Sequence, residues 1–254
     1  MKERLYEKVK FVEGENFVTI EDARHLTDEE LQSLSLIFLK DSKFVGVKNR
    51  TILVPSTFKE ETTKYIKDLG FKHHDDVYFV RCHLLEEDKG KREAQPFEFI
   101  SLKQGEEAVF KETWCRSMEG SLNAPQSLNM DEQMKSVKKE LGPGYVDSCL
   151  TVYENGNPIG VIMPHIEPGT KNEGRIFYFG LVPEERGKNK STALYEEGLY
   201  LLKNYFKATY SIGATSIHNK PMLKVFEKCG CDMTEKVGIY KYSQEPYKSS
   251  KLIW

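Results

Sequence analysis

The stretch LVPEERGKNKSTALYEEGL, from Leu181 to Leu199, concentrates residue types that can hold a polyanion. An aliphatic run ends in Pro183, a basic turn follows, and apolar residues then resume at helical spacing. A helix N-terminus offers up to four unpaired N–H groups and about half a positive charge, which together attract an anion. Gly187 lets the backbone approach a ligand with no side chain in the way. Asn189 accepts positive φ at little cost. Ser191 and Thr192 add small hydroxyl donors, and Arg186, Lys188 and Lys190 bring positive charge to the same rim. The chemistry this predicts is a nest for a pyrophosphate.

Rigid elements must hold such a turn. Before it, GRIFYFGLVP is apolar at both parities, the pattern of a strand buried on both faces in mid-sheet. After it, Leu194, Gly198, Leu201, Leu202 and Tyr205 fall on one face of a helix. Two other phosphate loops do not fit. The pattern G-x-x-x-x-G-K-[ST] fails because Asn189 follows Lys188 and Val182 stands where its first glycine would be, and G-x-G-x-x-G is absent.

With 254 residues, 39% hydrophobic and 30% charged, the chain has material for a real core in one large domain or two small ones. A formal net charge of -2 gives no basic field for nucleic acid. No apolar run approaches the roughly 18 residues of a membrane helix, and the first residues lack the apolar core of a secretory signal. A cytoplasmic protein with no membrane partner is expected. Cys82, Cys115, Cys149, Cys229 and Cys231 are odd in number and scattered, which predicts reduced thiols. Cys229-Gly-Cys231 has no second ligand pair at zinc spacing, so no metal is expected. The HHDD run, His73–Asp76, reads as a solvated turn.

Along the chain, NFVTIED and FVGVKNRTILVP read as strands, TDEELQSLSLIFLKD and FKEETTKYIKDLG as helices, and DVYFVRCHL as a further strand. The charged, proline-ended stretch from Glu86 to Pro96 is the best linker. After it come the strand FEFISL, two helices (the second capped by Asn129 or Asp131), a hairpin turning at Asn155-Gly156-Asn157, the strand described above and its helix. Lys64–Arg81 and Lys224–Lys241 share a helix, a glycine stop and an alternating arm at an offset of 160 residues, which reads as duplicated architecture.

At these residues the sequence resembles the GNAT N-acetyltransferase superfamily. Leu181, Pro183, Arg186, Gly187, Asn189 and Ser191 fall on its acyl-CoA signature V-x-P-x-x-[RQ]-G-x-[GA]-x-[GA]. Asn219, Met222, Glu227, Lys228 and Gly230, in SIHNKPMLKVFEKCGC, are similar to its second signature. The resemblance covers about residues 97 to 245. It implies an α/β (α+β) fold with a mixed, mostly antiparallel sheet flanked by helices, splayed beside the signature strand. A smaller, degenerate GNAT-like α/β domain would precede it: residues 1–90, a linker at 91–96, and the acetyl-CoA-binding domain at 97–254. It further implies acetyl-CoA as co-substrate and a small-molecule or peptide amine as acceptor. By the same resemblance Leu181 supplies a backbone oxyanion donor. Val182, Arg186, Gly187, Lys188, Asn189, Lys190, Ser191, Thr192, Asn219 and Phe226 line the cofactor.

Phe226 stands where the family often carries a tyrosine that protonates the departing thiolate, and Cys231 stands where it has Phe. In the echo, Ile66 takes the position of Phe226, with no basic glycine turn upstream. Candidates for the base are Glu173, Tyr178, His165 and His218. Trp114 and Met118 are expected either in the acceptor wall or in the core. The expected function is N-acetyl transfer by direct attack in a ternary complex; the alternative is an acyl-CoA-binding sensor or partner module without turnover.

Overall fold

The computed structural model of the protein describes residues 2–14, 16–84, 96–121 and 129–243. All of the expected linker except Pro96 lies outside them. The residues group into two compact units, 1–79 with 234–248, and 80–233 with 249–254.

The first unit is built from α1 (Lys2–Tyr6), β1 (Lys10–Glu13), β2 (Phe17–Glu21), α2 (Asp28–Lys40), β3 (Asn49–Pro55), α3 (Glu60–Asp68) and most of β4 (Lys72–His83). Thr27 opens α2 with a reciprocal capping box, its hydroxyl accepting from the Glu30 N–H while the Glu30 carboxylate accepts from the Thr27 N–H. β1 runs antiparallel to β2, and β2 runs parallel to β3 in four consecutive pairs, Phe17–Asn49 to Ile20–Ile52. The remaining neighbour of β3 comes from the far end of the chain: β10 (Asp232–Ser243) pairs antiparallel with it from Val237–Pro55 to Ser243–Asn49. Val18, Ile20, Ile52, Val54 and Tyr240 face α2 and α3 across a core closed by Leu31, Leu34, Phe38 and Ile66. The HHDD run is not a turn. It lies inside β4, where Asp76 meets His73 at 2.9 Å and Lys236 of β10 at 3.0 Å, so these polar residues pair along a strand.

The second unit continues with β5 (Glu98–Ser101), α4 (Glu107–Met118), α5 (Met130–Leu141), α6 (Tyr145–Ser148), β6 (Leu150–Glu154), β7 (Asn157–Ile166), β8 (Glu173–Leu181), α7 (Lys190–Asn204), β9 (Tyr210–Ser216) and α8 (Lys220–Lys228). Its strands lie in the order β9-β8-β7-β6-β5, antiparallel except for β8 beside β9. Asn155 and Gly156 turn the β6–β7 hairpin with φ of 52° and 77°, the left-handed pair that two-residue turns favour. Asn129 caps α5 by accepting from the N–H groups of Asp131 and Glu132. Trp114 and Met118 are fully buried with Phe110, Met134, Val161 and Met163, which places them in the core. On the opposite face Ile162 packs with Leu194 of α7.

One further difference from expectation concerns the second unit. Cys82 and Cys231 are joined by a disulfide across 149 residues, where reduced thiols were expected. Pairing between distant cysteines depends on fold geometry, which spacing in sequence does not carry. The echoed elements, by contrast, repeat without slippage: α3 and α8, and β4 and β10, begin and end 160 residues apart.

Candidate active site

The site begins with a defect in the β7–β8 ladder. Ile162 faces Phe179, yet Pro164 faces Ile176, so β8 carries one residue more than β7 over this interval. Proline has no N–H to give the ladder, and a bulge opposite it bends the strand and re-aims its side chains. Tyr178 and Phe179, neighbours in sequence, both line the same cavity as a result. On the other side β8 pairs with β9 only at Glu173–Tyr210 and Gly174–Ser211, after which the two strands part. The cavity fills this split. It encloses about 180 Å³, with Ile176, Tyr178 and Phe179 on one wall, Gly213, Ala214 and Thr215 on the other, and α7 and α8 contributing Ser191, Tyr195, Asn219, Met222 and Phe226.

Backbone geometry at its rim follows from the ladder. Val182 donates to the Ile159 carbonyl at 2.9 Å, and bonded and non-bonded pairs alternate in antiparallel sheets. Leu181, opposite Gly160, is therefore in a non-bonded pair, and its N–H turns away from β7 toward the split. Beyond it, Gly187 and Asn189 both adopt left-handed conformations, with φ of 72° and 60°. A Cβ at Gly187 would meet nothing within 4 Å, so the bare backbone faces open space. Asn189 leads into α7 without a side-chain cap, so the first-turn N–H groups of Lys190, Ser191 and Thr192 lack the partner that Thr27 provides in α2.

The cations of this turn already have partners. Arg186 donates to the carbonyls of Leu181, Ser117 and Glu119 at 3.0, 2.9 and 2.6 Å, tying the turn to the end of α4. Lys188 meets Glu185 at 3.1 Å, and Lys190 bridges Glu185, at 2.6 Å, and Glu154. Hydrogen bonds from Lys190 and Lys188 hold the Glu185 carboxyl below its usual range.

The four base candidates occupy different places. The Tyr178 phenol is buried and donates to the Ser117 carbonyl at 2.9 Å; burial pushes its pKa up to about 12. Glu173 lies where β8 and β9 still pair, accepting from Arg175 at 2.7 Å and from the Tyr210 hydroxyl at 3.2 Å. His165 is buried at the end of β7, 3.4 Å from Glu167, and His218 is exposed before α8. Only Tyr178 of the four lines the cavity. Asn219 lines it too, capping α8 by accepting from the Met222 N–H at 3.3 Å while donating to Thr215 at 3.1 Å. Phe226 is buried against Tyr195, with ring centroids 5.5 Å apart. Sequence reading missed Tyr195 and the small β9 residues. The available signal was helical spacing, which sets Tyr195 one turn after Ser191 on the helix that leaves the turn.

Known proteins place this arrangement. Residues 107–231 match the model of the acetyltransferase (GNAT) family, and the chain carries a GNAT acetyltransferase domain over that stretch. Nearly the whole chain is similar in fold to several solved structures. One is a GCN5-related N-acetyltransferase from Sphaerobacter thermophilus: TM-score 0.56, 10% identity, covering 96% of this chain and 78% of that one. Another is a tandem GNAT protein from the clavulanic acid biosynthesis pathway: TM-score 0.57, 11% identity, 94% and 79% covered. A functionally unknown conserved protein from Staphylococcus epidermidis gives TM-score 0.56 at 13% identity, with 96% and 97% covered. No protein of curated function matches the sequence. Among the described residues no helix is long and apolar enough to cross a membrane, and no cluster of three metal-ligating side chains occurs.

Proposed function

We propose that the second unit moves an acetyl group from acetyl-CoA to a primary amine on a small molecule or peptide, by direct attack within a ternary complex. The observation that carries this reading is the split between β8 and β9, which runs from a closed end at Glu173 past the Leu181 N–H toward an uncapped helix terminus. A slender arm fits between strands that have parted, and a pyrophosphate fits the nest of Gly187 to Thr192. Acetyl-CoA supplies an activated acyl group on a good leaving group, so the protein mainly positions reactants.

Each residue then has a task. The backbone from Gly187 to Thr192 holds the pyrophosphate, and Arg186 keeps that backbone in place through its three carbonyl contacts. Lys188 and Lys190 can exchange their carboxylate partners for phosphate oxygens. Val182, Asn219 and Phe226 border the arm. The Leu181 N–H is the donor for the carbonyl oxygen, where attack develops negative charge; losing one such donor costs about 2.7–4 kcal/mol in comparable sites. Glu173 stands at the closed end of the split, outside the cavity lining and roughly 25 Å along β8 from Leu181, so the proton of the incoming ammonium leaves through water rather than to this carboxylate. Tyr178 serves as wall, because its proton is committed to Ser117. The N-terminal unit is read as a degenerate GNAT-like half.

The test is thermal stability with and without acetyl-CoA, in wild type and Gly187→Glu. Ligand at about 100 times its dissociation constant adds roughly 2.7 kcal/mol. A shift in wild type that the substitution abolishes supports the nest, and release of free thiol with a panel of amines then separates transfer from binding alone. No shift in either protein overturns the reading.

A further inference from the structure

Breaking a thioester sends the C–S electron pair to sulfur, and the thiolate so formed must gain a proton before or after it leaves. Two phenols line the cavity, those of Tyr178 and Tyr195. They differ in what their hydroxyls do. The Tyr178 hydroxyl is spoken for by Ser117. The Tyr195 hydroxyl has no hydrogen-bond partner among the described residues, yet it is not among the sealed polar atoms, so what exposure this 2% accessible residue keeps includes its oxygen.

The ring of Tyr195 is fixed. It stands edge-on to Phe179 of β8, with centroids 5.4 Å apart, and edge-on to Phe226 of α8 at 5.5 Å. Such aromatic contacts hold a side chain in one rotamer within a close-packed cluster, here completed by Val80, Cys82 and Val225. One turn earlier on the same helix, the Thr192 carbonyl accepts from the thiol of Cys229, the residue that ends α8, at 3.9 Å. Burial raises the pKa of Tyr195 and lifts the Cys229 thiol to about 12, so both groups keep their protons at neutral pH. What bears on a departing sulfur is the geometry: a hydroxyl with no partner among the described residues, carried on a ring that two aromatic contacts fix at the wall of the cavity.

We infer that Tyr195 is the general acid of this site, donating its phenolic proton to the sulfur of the departing CoA. This rests on the acetyl-transfer reading above. The amine lone pair forms the C–N bond and the C–S bond breaks with its electron pair on sulfur. The phenolic proton passes to that sulfur, and the phenolate recovers a proton, by way of water, from the acetylated nitrogen. Phe226, besides bordering the arm, then orients the ring that carries the acid on the neighbouring helix.

The experiment compares wild type, Tyr195→Phe and the double variant Tyr195→Phe/Phe226→Tyr. Equilibrium binding is measured for CoA and for desulfo-CoA, and steady-state rates with acetyl-CoA and a responsive amine. Tyr195→Phe should weaken CoA several-fold while leaving desulfo-CoA unchanged, since only the first presents a sulfur to the hydroxyl. It should lower kcat by roughly a hundredfold with KM for acetyl-CoA nearly constant, the lower end of what a positioned acid provides. The double variant should recover part of that loss. Equal weakening of both ligands, or an unchanged kcat, overturns the assignment of Tyr195 while leaving the cofactor site intact. Wild type that binds neither ligand overturns the acetyl-transfer reading and this inference together.

Discussion

Gly180 shows how tightly one residue is constrained beside the cavity. A Cβ there would meet the Tyr178 hydroxyl at 2.6 Å, and that hydroxyl is anchored on Ser117. Gly180→Ala should therefore push the Tyr178 ring from its seat, costing about 1–3 kcal/mol of stability by overpacking and weakening acetyl-CoA binding. Denaturation and ligand titration of one preparation check both outcomes. Lys241 of β10 offers a contrasting case in the first unit. Its ammonium is buried with no hydrogen-bond partner among the described residues, and burial lowers its pKa to about 8, partly offset by Asp75. A lysine whose folded pKa lies below its unfolded value costs stability wherever it must be charged. Stability should thus be lower and flat below about pH 8, and rise from there toward about 10.4, the unfolded value. Lys241→Met should remove that slope and raise stability at pH 7 by about 3 kcal/mol, read from urea unfolding across pH. The chemistry of the basic turn was legible in sequence because Gly187 and Asn189 are residues that left-handed backbone selects. The commitments of Arg186 and Lys190 were not, since their partners Ser117, Glu119 and Glu154 lie far away in sequence.

Among the elements, α2 and α7 make an instructive pair, since each follows a strand that runs parallel to the next. α2 begins with a closed capping box and three acidic residues, Asp28, Glu29 and Glu30, in its first turn. α7 begins with an uncapped left-handed Asn189 and no acidic residue there. The strands agree with this: β2 and β3 stay paired over four residues, whereas β8 and β9 part after two. An anion finds partners at one terminus and repulsion at the other. Calorimetric titration should give one acetyl-CoA per chain; two would contradict the reading of the first unit as a degenerate half. Helices, caps and the Asn155-Gly156 hairpin were readable because each depends on residues within a few positions. The bulge opposite Pro164 was not, because a ladder register belongs to two strands together.

For the whole molecule, the Cys82–Cys231 bridge spans most of the second unit and lies in the cluster that seats Tyr195 and Phe226. Constraining so long a loop in the unfolded chain is worth about 2–5 kcal/mol. Cys82→Ser with Cys231→Ser should lower the urea midpoint by that measure, and reductant should do the same to wild type while leaving the double variant unaffected. The repeated helix and arm of this architecture were visible as the 160-residue echo, yet their most consequential outcome was hidden. An arm that follows the second unit in sequence, residues 234 to 243, is a strand of the first unit's sheet. Chains leave the ribosome from the N-terminus, at about 5–20 residues per second. β3 therefore emerges early and waits, one edge unpaired, until the second unit has been made. The first unit to be synthesised is the last to be completed.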